Sequence, residues 1–595
     1  MTNALLIFTF SPVQSFIAEA RRAADLYTGS QILVELAKAA GKVLEMSAID
    51  KRLIYPVELT DDVPNKLMTT VPWEKCEVIA EEARAALLLR WKELAEQAHR
   101  NFDQKVKLPF KEDIWQRQTA DDYLWETYWT AASLERRDYK EAYAEAENGL
   151  TAVKFTRSFM QFPEPGFKDT LSGKRQALCA GDGDGQKYWF KVGNVPEITP
   201  IKIRPSTEAR PRERLDAIGI IKRFHPELSE KTVDPFHGFP STSSMAAASF
   251  LESARTNCLS ELKSYRDAIA ALLPDKKYKI REDDAWPYDG DLFYPETLRP
   301  RRLEGDYGKK IPAADPRLKK AQAALQALCH ALKEAAKKDT TLITRPSPYY
   351  AIIVLDGDSM GKHLRTLNEG EHRTFSASLR QFALAVKPLA DKHLAKVIYN
   401  GGDDVLAMAP LKSAFTFARQ LAALFNEETK QHASAGIAIA HHLSPLSHTL
   451  QAARRAEHQA KELDGKNAVC VIALKHSGEP IQVRSHWDAV SDQFEKIVHQ
   501  FESDEISSKL PYDVDRSAYG LPQADKKLET ELCRLIKRHL QKGTAEEKKA
   551  SALTLSQSLR EWAQSFILGD ADNQPADQLA DWLALARFVA KGGRE

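Results

Sequence analysis

Cysteine is scarce in this chain: six residues among 595, at positions 76, 179, 258, 329, 470 and 533, with no Cys-x-x-Cys pair. That spacing argues against a zinc ribbon and a dense disulfide framework, and predicts reduced, mostly core cysteines in a cytoplasmic protein. Long apolar runs are missing as well. No stretch of 18 or more apolar residues occurs, and the opening MTNALLIFTFSPVQSF lacks a basic segment followed by a long apolar one, so neither a membrane span nor an export signal is expected. Net charge is nearly absent, since 84 Lys and Arg oppose 83 Asp and Glu. The chain is no polycation, and any grip on nucleic-acid phosphates has to come from local basic faces. Low-complexity tracts and clear internal repeats are also absent. A length of 595 residues exceeds what one core organises and implies about three to five domains of roughly 100–200 residues each.

What is present is a set of changing periodicities. ALLIFTF followed by SPVQSFIAEARRAADLYTGSQILVELAKAAGKVL reads as a strand that enters a long helix through a Ser-Pro start. Residues 79–106 continue as a charged amphipathic helix, and 150–205 are rich in Gly, Pro and short strand-like runs, which places the end of a first domain near 205. From 206 to 340 the pattern is mainly helical. After TRPSPYY it changes again: strand AIIVL, helix 371–394, two short strands in 395–409, helix 411–430, strand ASAGIAIA, helix 445–463 and strand NAVCVIAL. The order βαββαβ within 341–479 is that of a ferredoxin-like palm. Residues 480–595 read as helical. The expected fold is α+β, with two palm-like domains (1–205 and 341–479), a helical connector and a C-terminal helical domain.

Asp-Gly-Asp occurs three times, at 182–184, 289–291 and 356–358. In the first two places Gly, Pro and aromatic neighbours predict solvated turns. Only YYAIIVLDGDSMGK sets the motif at the end of a buried strand entering a helix, where backbone N–H groups can approach a polyphosphate. Gly357, Asp358, Ser359, Met360 and Gly361 are therefore candidate nucleotide contacts, with Asp358 also a candidate helix cap. In a βαββαβ sheet the first strand is central, and pairing with the strand that enters the hairpin would bring Asp356 opposite Asp403 in YNGGDDVLA. Gly401 and Gly402 suit a tight turn and leave room for a nucleotide. Converging carboxylates repel unless a cation such as Mg²⁺ joins them, which makes Asp356, Asp403 and Asp404 candidate metal ligands.

LDGDSMGK with YNGGDDVLA, followed by SAGIAIAHH and AEHQAKELDGKNAVCV, resembles the catalytic palm of the large subunit of type III CRISPR RNA-guided complexes, in the Cmr (type III-B) form. FSPVQSFIAEARRAADLYTGSQIL, FPSTSSMAAASF and the C-terminal helices resemble other parts of that subunit. The resemblance implies a nucleotidyl cyclase that joins ATP into cyclic oligoadenylates, using two Mg²⁺ or Mn²⁺ ions, when guide RNA pairs with target RNA. It implies Lys461 near the triphosphate. It also implies partners: guide CRISPR RNA, target RNA, a small helical subunit and the subunit that caps the guide 5′ end, with no membrane.

Departures from the family pattern carry expectations too. The chain begins at the palm-like opening and contains no His-Asp dipeptide, so no HD-type DNase is expected. Relatives often hold zinc through a Cys-x-x-Cys-Gly segment, and DTLSGKR here puts Asp169 and Ser172 at the cysteine positions, so no zinc is expected. Basic runs at 201–223 and 298–310 are candidate contacts to RNA phosphates, and His441 and His442 read as structural. Two other functions share these features: a diguanylate-type cyclase, and a non-enzymatic scaffold of an RNA–protein complex.

Overall fold

The computed structural model describes residues 2–135, 137–156, 163–181, 185–195, 213–224, 239–339, 341–518, 520–521, 525–566 and 575–594. The Asp-Gly-Asp at 182–184 and the basic residues of 201–212 lie outside them.

Strand β1 (Asn3–Ser11) forms from the run NALLIFTFS and is buried on both faces. Leu6, Phe8 and Phe10 enter a core shared with α1 (Ala23–Ser47) and α2 (Cys76–Val106), whereas Leu5 and Ile7 meet α3 (Tyr139–Phe155). Antiparallel pairing sets β1 between β2 (Lys66–Pro72) and β3 (Glu126–Ser133). A single bridge from Tyr55 to Met68 stands on the other side of β2, where a complete ferredoxin-like sheet has its fourth strand. Among the described residues this first palm is one strand short.

The helix α4 (Ala217–Phe224), expected at the start of the connector, packs instead on α1 and α2. Lys222 and Arg223 are buried there: Arg223 pairs with Asp25 and Glu213, and the Lys222 ammonium donates to the carbonyls of Phe16 and Glu19. Burial pushes Lys222 down to about 8. These two cations of the 201–223 run are therefore turned inward, away from any RNA phosphate. In the second run Arg302 pairs with Asp306 and Lys309 with Asp275, while Arg299 and Arg301 are exposed. Residues 239–339 are mainly helical, as the periodicity predicts. Their Asp-Gly-Asp is no solvated turn. Asp291 is half-buried, accepts from the Tyr307 hydroxyl and is pushed up to about 8 by burial and by Asp289, because the turn is closed under Ser241 and Ser244.

The second palm is a six-stranded sheet of order β5-β6-β4-β7-β8-β9, built from β4 (Tyr349–Gly357), β5 (Lys396–Asn400), β6 (Asp404–Pro410), β7 (Ala433–His441), β8 (Ala468–Leu474) and β9 (Ile481–His486). Helices α5 (Glu369–Lys392), α6 (Ala414–Thr429) and α7 (Leu446–Lys461) connect these strands. The predicted βαββαβ order is present. Two expectations are corrected. The central strand β4 pairs with β6, which leaves the Gly-Gly hairpin, and not with β5, which enters it. The crossover through α5 skips one strand position, and the hairpin fills the gap from the far side. β9 also continues the sheet past residue 480, where helix was expected, since its edge pairing with β8 outweighs local propensity.

Alternation along β4 divides the cores. Tyr350, Ile352 and Val354 face α7 and the connector, while Ala351, Ile353 and Leu355 face α5, α6 and the C-terminal helices. Among those helices α8 (Trp487–Glu502) and α9 (Pro575–Ala590) bring Phe494 and Trp582 against Phe415 of α6. The C-terminal helices thus share the palm's core. All six cysteines are free thiols, four of them buried, and no described helix is long and apolar enough to cross a membrane. His442 is buried, stacks on Tyr294 and hydrogen-bonds Ser243 through Nδ1, a structural placement.

The DTLSGKR loop closes on hydrogen bonds from its own chain. The Asp169 carboxylate accepts the N–H groups of Leu171, Ser172 and Arg175 and the Ser172 hydroxyl, and the Asp169 N–H donates to the Arg175 carbonyl. Asp169→Ala strands buried donors, so we expect a loss of about 2–4 kcal/mol and faster amide exchange across 169–176. Elemental analysis of the pure protein is expected to find no stoichiometric zinc, and one zinc per chain would overturn this account of the loop.

Candidate active site

Register brings the acids together. Across β6, β4 and β7 the residues Asp404, Asp356 and Ser434 stand opposite one another, and strand alternation turns all three to the side of the sheet that α7 covers. The direct cross-strand partner of Asp356 is therefore Asp404. Asp403 sits in the turn beside it and accepts the Gly357 N–H through its carbonyl.

Helix α7 supplies the other wall. Arg454, Glu457 and Lys461, spaced three and four apart, share one helix face. The Lys461 ammonium forms an ion pair with Asp356 and a second with Glu457 at 3.1 Å. This close approach depends on Gly436 of β7, where an added Cβ would stand 2.1 Å from the Glu457 nitrogen and 2.2 Å from the Ala453 carbonyl oxygen.

Electrostatics mark the turn. Asp403 and Asp404 are half-buried and make no ion pair with another described residue. Burial raises both carboxyls, and Asp404 reaches about 7 with Asp403 and Glu457 adding to the shift. Glu457 is raised by burial as well. Burial and Lys466 push Lys461 down to about 8. Like charges at this density are unfavourable without a cation.

The first palm reaches into the site. Its segment 50–58 runs along α5 through Asp50 and the Leu53 carbonyl to Arg373, Val57 N–H to Ser376, and Glu58 to Arg380. At the middle of that segment the Tyr55 hydroxyl donates to the Gly401 carbonyl at 3.3 Å. Burial and the charges of Asp403, Tyr399, Tyr143 and Asp404 hold the Tyr55 phenol well above its ordinary range. Gly402 lies at φ +99°, a conformation that side chains rarely adopt, and Gly401 packs against the Tyr399 ring.

The 357–361 segment differs from a phosphate cradle. The Asp358 N–H donates to the His432 carbonyl, its carboxylate accepts from the Ser434 hydroxyl and the Asn467 N–H, and Met360 is buried. Asp358 therefore caps no helix; its carboxylate is taken up by Ser434 and Asn467 and pins the end of β4 to β7. The following helix, Met360–Leu364, is one turn long. Ser359 and Gly361 are the exposed members of the segment.

The three-carboxylate cluster expected from the sequence is not closed either. Among the described residues no three His, Cys, Asp or Glu side chains gather as a metal site, and Lys461 holds Asp356. The donor chemistry still suits a hard cation: Asp403 and Asp404 are raised carboxylates with no ion pair, which a divalent ion would relieve. Tyr55, Arg454, Glu457 and Ser434 were missed in the sequence. The i, i+3, i+7 spacing of RRAEHQAK could have disclosed Arg454 and Glu457, but no local signal points to Tyr55.

Comparison with known proteins bears on both halves. Residues 349–470 match the family model for the Cas10/Cmr2 second palm domain, and residues 5–96 match the model for the N-terminal part of the CRISPR-associated protein Cmr2. In these two segments the chain is similar to the Cas10/Cmr2 family. The CRISPR system Cmr subunit Cmr2 of Pyrococcus furiosus is 23% identical over 598 aligned positions, covering 85% of this chain and 64% of the archaeal protein. The chain thus spans under two thirds of that relative's length. Cryo-EM structures of a type III-B Cmr-beta complex contain chains of similar fold. The apo state gives a TM-score of 0.66 at 14% identity, covering all of this chain and 82% of that one. The state bound to cognate target RNA gives 0.64 at 14%, covering all of this chain and 83% of that one. In Cas10/Cmr2 terms, the acid row lies in the second palm and Tyr55 in the N-terminal part.

Proposed function

We propose that this chain is the cyclase of an RNA-guided type III-B complex, joining ATP into cyclic oligoadenylates when guide RNA pairs with target RNA. The observation that carries the reading is the row Asp404, Asp356 and Ser434 on one face of a Cas10/Cmr2 palm, with Lys461 and Glu457 set over it.

In each joining step a ribose 3′-oxygen bonds to the α-phosphorus of the next ATP, the α–β anhydride bond breaks, pyrophosphate leaves and the hydroxyl proton is released. Asp403 and Asp404, with Asp356, would hold Mg²⁺ or Mn²⁺, which supplies Lewis acidity at the phosphates and a more nucleophilic 3′-oxygen. Lys461 directs its ammonium toward the triphosphate. The Gly401–Gly402 turn keeps side chains out of the cleft, and Tyr55 orients that turn from the other palm. Guide RNA, target RNA and the other Cmr-type subunits complete the assembly. RNA can activate only by as much as it favours the competent arrangement of the two palms over the idle one.

Chromatography of the products made from ATP and Mg²⁺ tests this. The chain alone, the guide-loaded complex, and that complex with mismatched RNA are expected to yield little cyclic adenylate, and matched target RNA a large increase. Equal yield in all four, or GTP turnover indifferent to RNA, defeats the reading.

A further inference from the structure

We infer that Lys461 is an internal counter-ion, which occupies the Asp356 carboxylate in place of a divalent cation until a nucleotide arrives, so that metal and triphosphate load together. This rests on the cyclase reading and adds the order in which the site fills.

The acid row is unevenly compensated. Asp356 carries an ammonium, whereas Asp403 and Asp404, its neighbours in the sheet and turn, carry no ion pair with a described residue. Among the described residues no third side chain completes a metal-holding group with those two. A cation approaching without nucleotide therefore meets two of its three carboxylates, with a positive charge standing on the third. Lys461 and Asp356 are only 23% and 34% exposed, so the pair is poorly screened.

A plain structural salt bridge would need one acidic partner. Lys461 has two, and the second, Glu457, lies one turn back on its own helix at 3.1 Å. Moving off Asp356 thus leaves the ammonium paired. A triphosphate is the ligand that draws it away, because the phosphate oxygens offer more negative charge than one carboxylate. Asp356 is freed at the same moment. Linkage then requires that nucleotide tighten metal binding and metal tighten nucleotide binding by one factor.

The test needs neither turnover nor RNA. Mn²⁺ is titrated into the full-length chain without nucleotide, with free Mn²⁺ read by electron paramagnetic resonance. Lys461→Met is expected to bind Mn²⁺ about tenfold more tightly than wild type, within the range of ordinary site coupling, while Lys461→Arg, which keeps the charge, binds as wild type does. Lys461→Gln serves the same comparison should the methionine variant not fold. Equal or weaker binding by the neutral variant overturns the counter-ion. Its failure is separable from that of the cyclase reading, since Asp403→Asn with Asp404→Asn is expected to abolish Mn²⁺ binding, and unchanged binding there refutes the metal site itself.

Discussion

Asp403→Asn combined with Asp404→Asn is expected to reduce nucleotide joining at least a thousandfold and, without divalent cations, to make the protein harder to unfold. The two results have one cause. Burial raises both carboxyls, and repulsion from Asp403 and Glu457 helps take Asp404 to about 7. A carboxyl whose folded pKa is raised binds protons more tightly in the native state, so stability is complete below the unfolded value near 4 and is lost as pH rises toward 7. The amide variant escapes that loss. Its advantage should be small at pH 4, grow to about pH 7 and then level off, at about 1–3 kcal/mol once solvent at these half-buried groups is allowed for. Thermal unfolding at several pH values reads it, and Mg²⁺ should stabilise only the wild type. A variant no more stable than wild type at pH 8 would show that the turn is not strained by its charge.

Gly436→Ala is expected to cost at least about 3 kcal/mol and to abolish synthesis, although residue 436 touches no reacting group. One methyl would stand 2.1–2.2 Å from backbone atoms of α7, and a helix backbone cannot yield as a side-chain tip can. The helix must move, taking Glu457 and Lys461 off the acid row. Unfolding temperature and the product yield of the assembled complex both report this. Wild-type stability in the alanine variant would mean that α7 is not held where the structure has it.

The sequence by itself determined the palm. Near-continuous runs of apolar and small residues in YYAIIVLDG and ASAGIAIAH mark strands with two buried faces, and a motif at a strand's end is distinguished from the same tripeptide in a loop by its neighbours alone. It also singled out Asp356, Asp403, Asp404 and Lys461, because charge at the end of an apolar strand is conspicuous and because these stretches resemble a known family. Boundaries were less legible. α4 is helical by local pattern, yet its partners α1 and α2 lie over 100 residues away, and β9 is a strand only because β8 offers it an edge.

Tertiary structure alone decided which groups meet. Local periodicity says which face a residue takes but not which strand pairs with which, so Asp404 rather than Asp403 stands opposite Asp356 only because β6 lies between β5 and β4. The engagement of Asp358 with Ser434 and Asn467, the reach of Tyr55 across 346 residues to Gly401, and the ion pair between Lys461 and Asp356 are contacts between segments far apart in the chain. No window of sequence contains both partners of such a contact. Their geometry is settled by how the sheet, α7 and the first palm pack, and it is there that a row of acids becomes a candidate site.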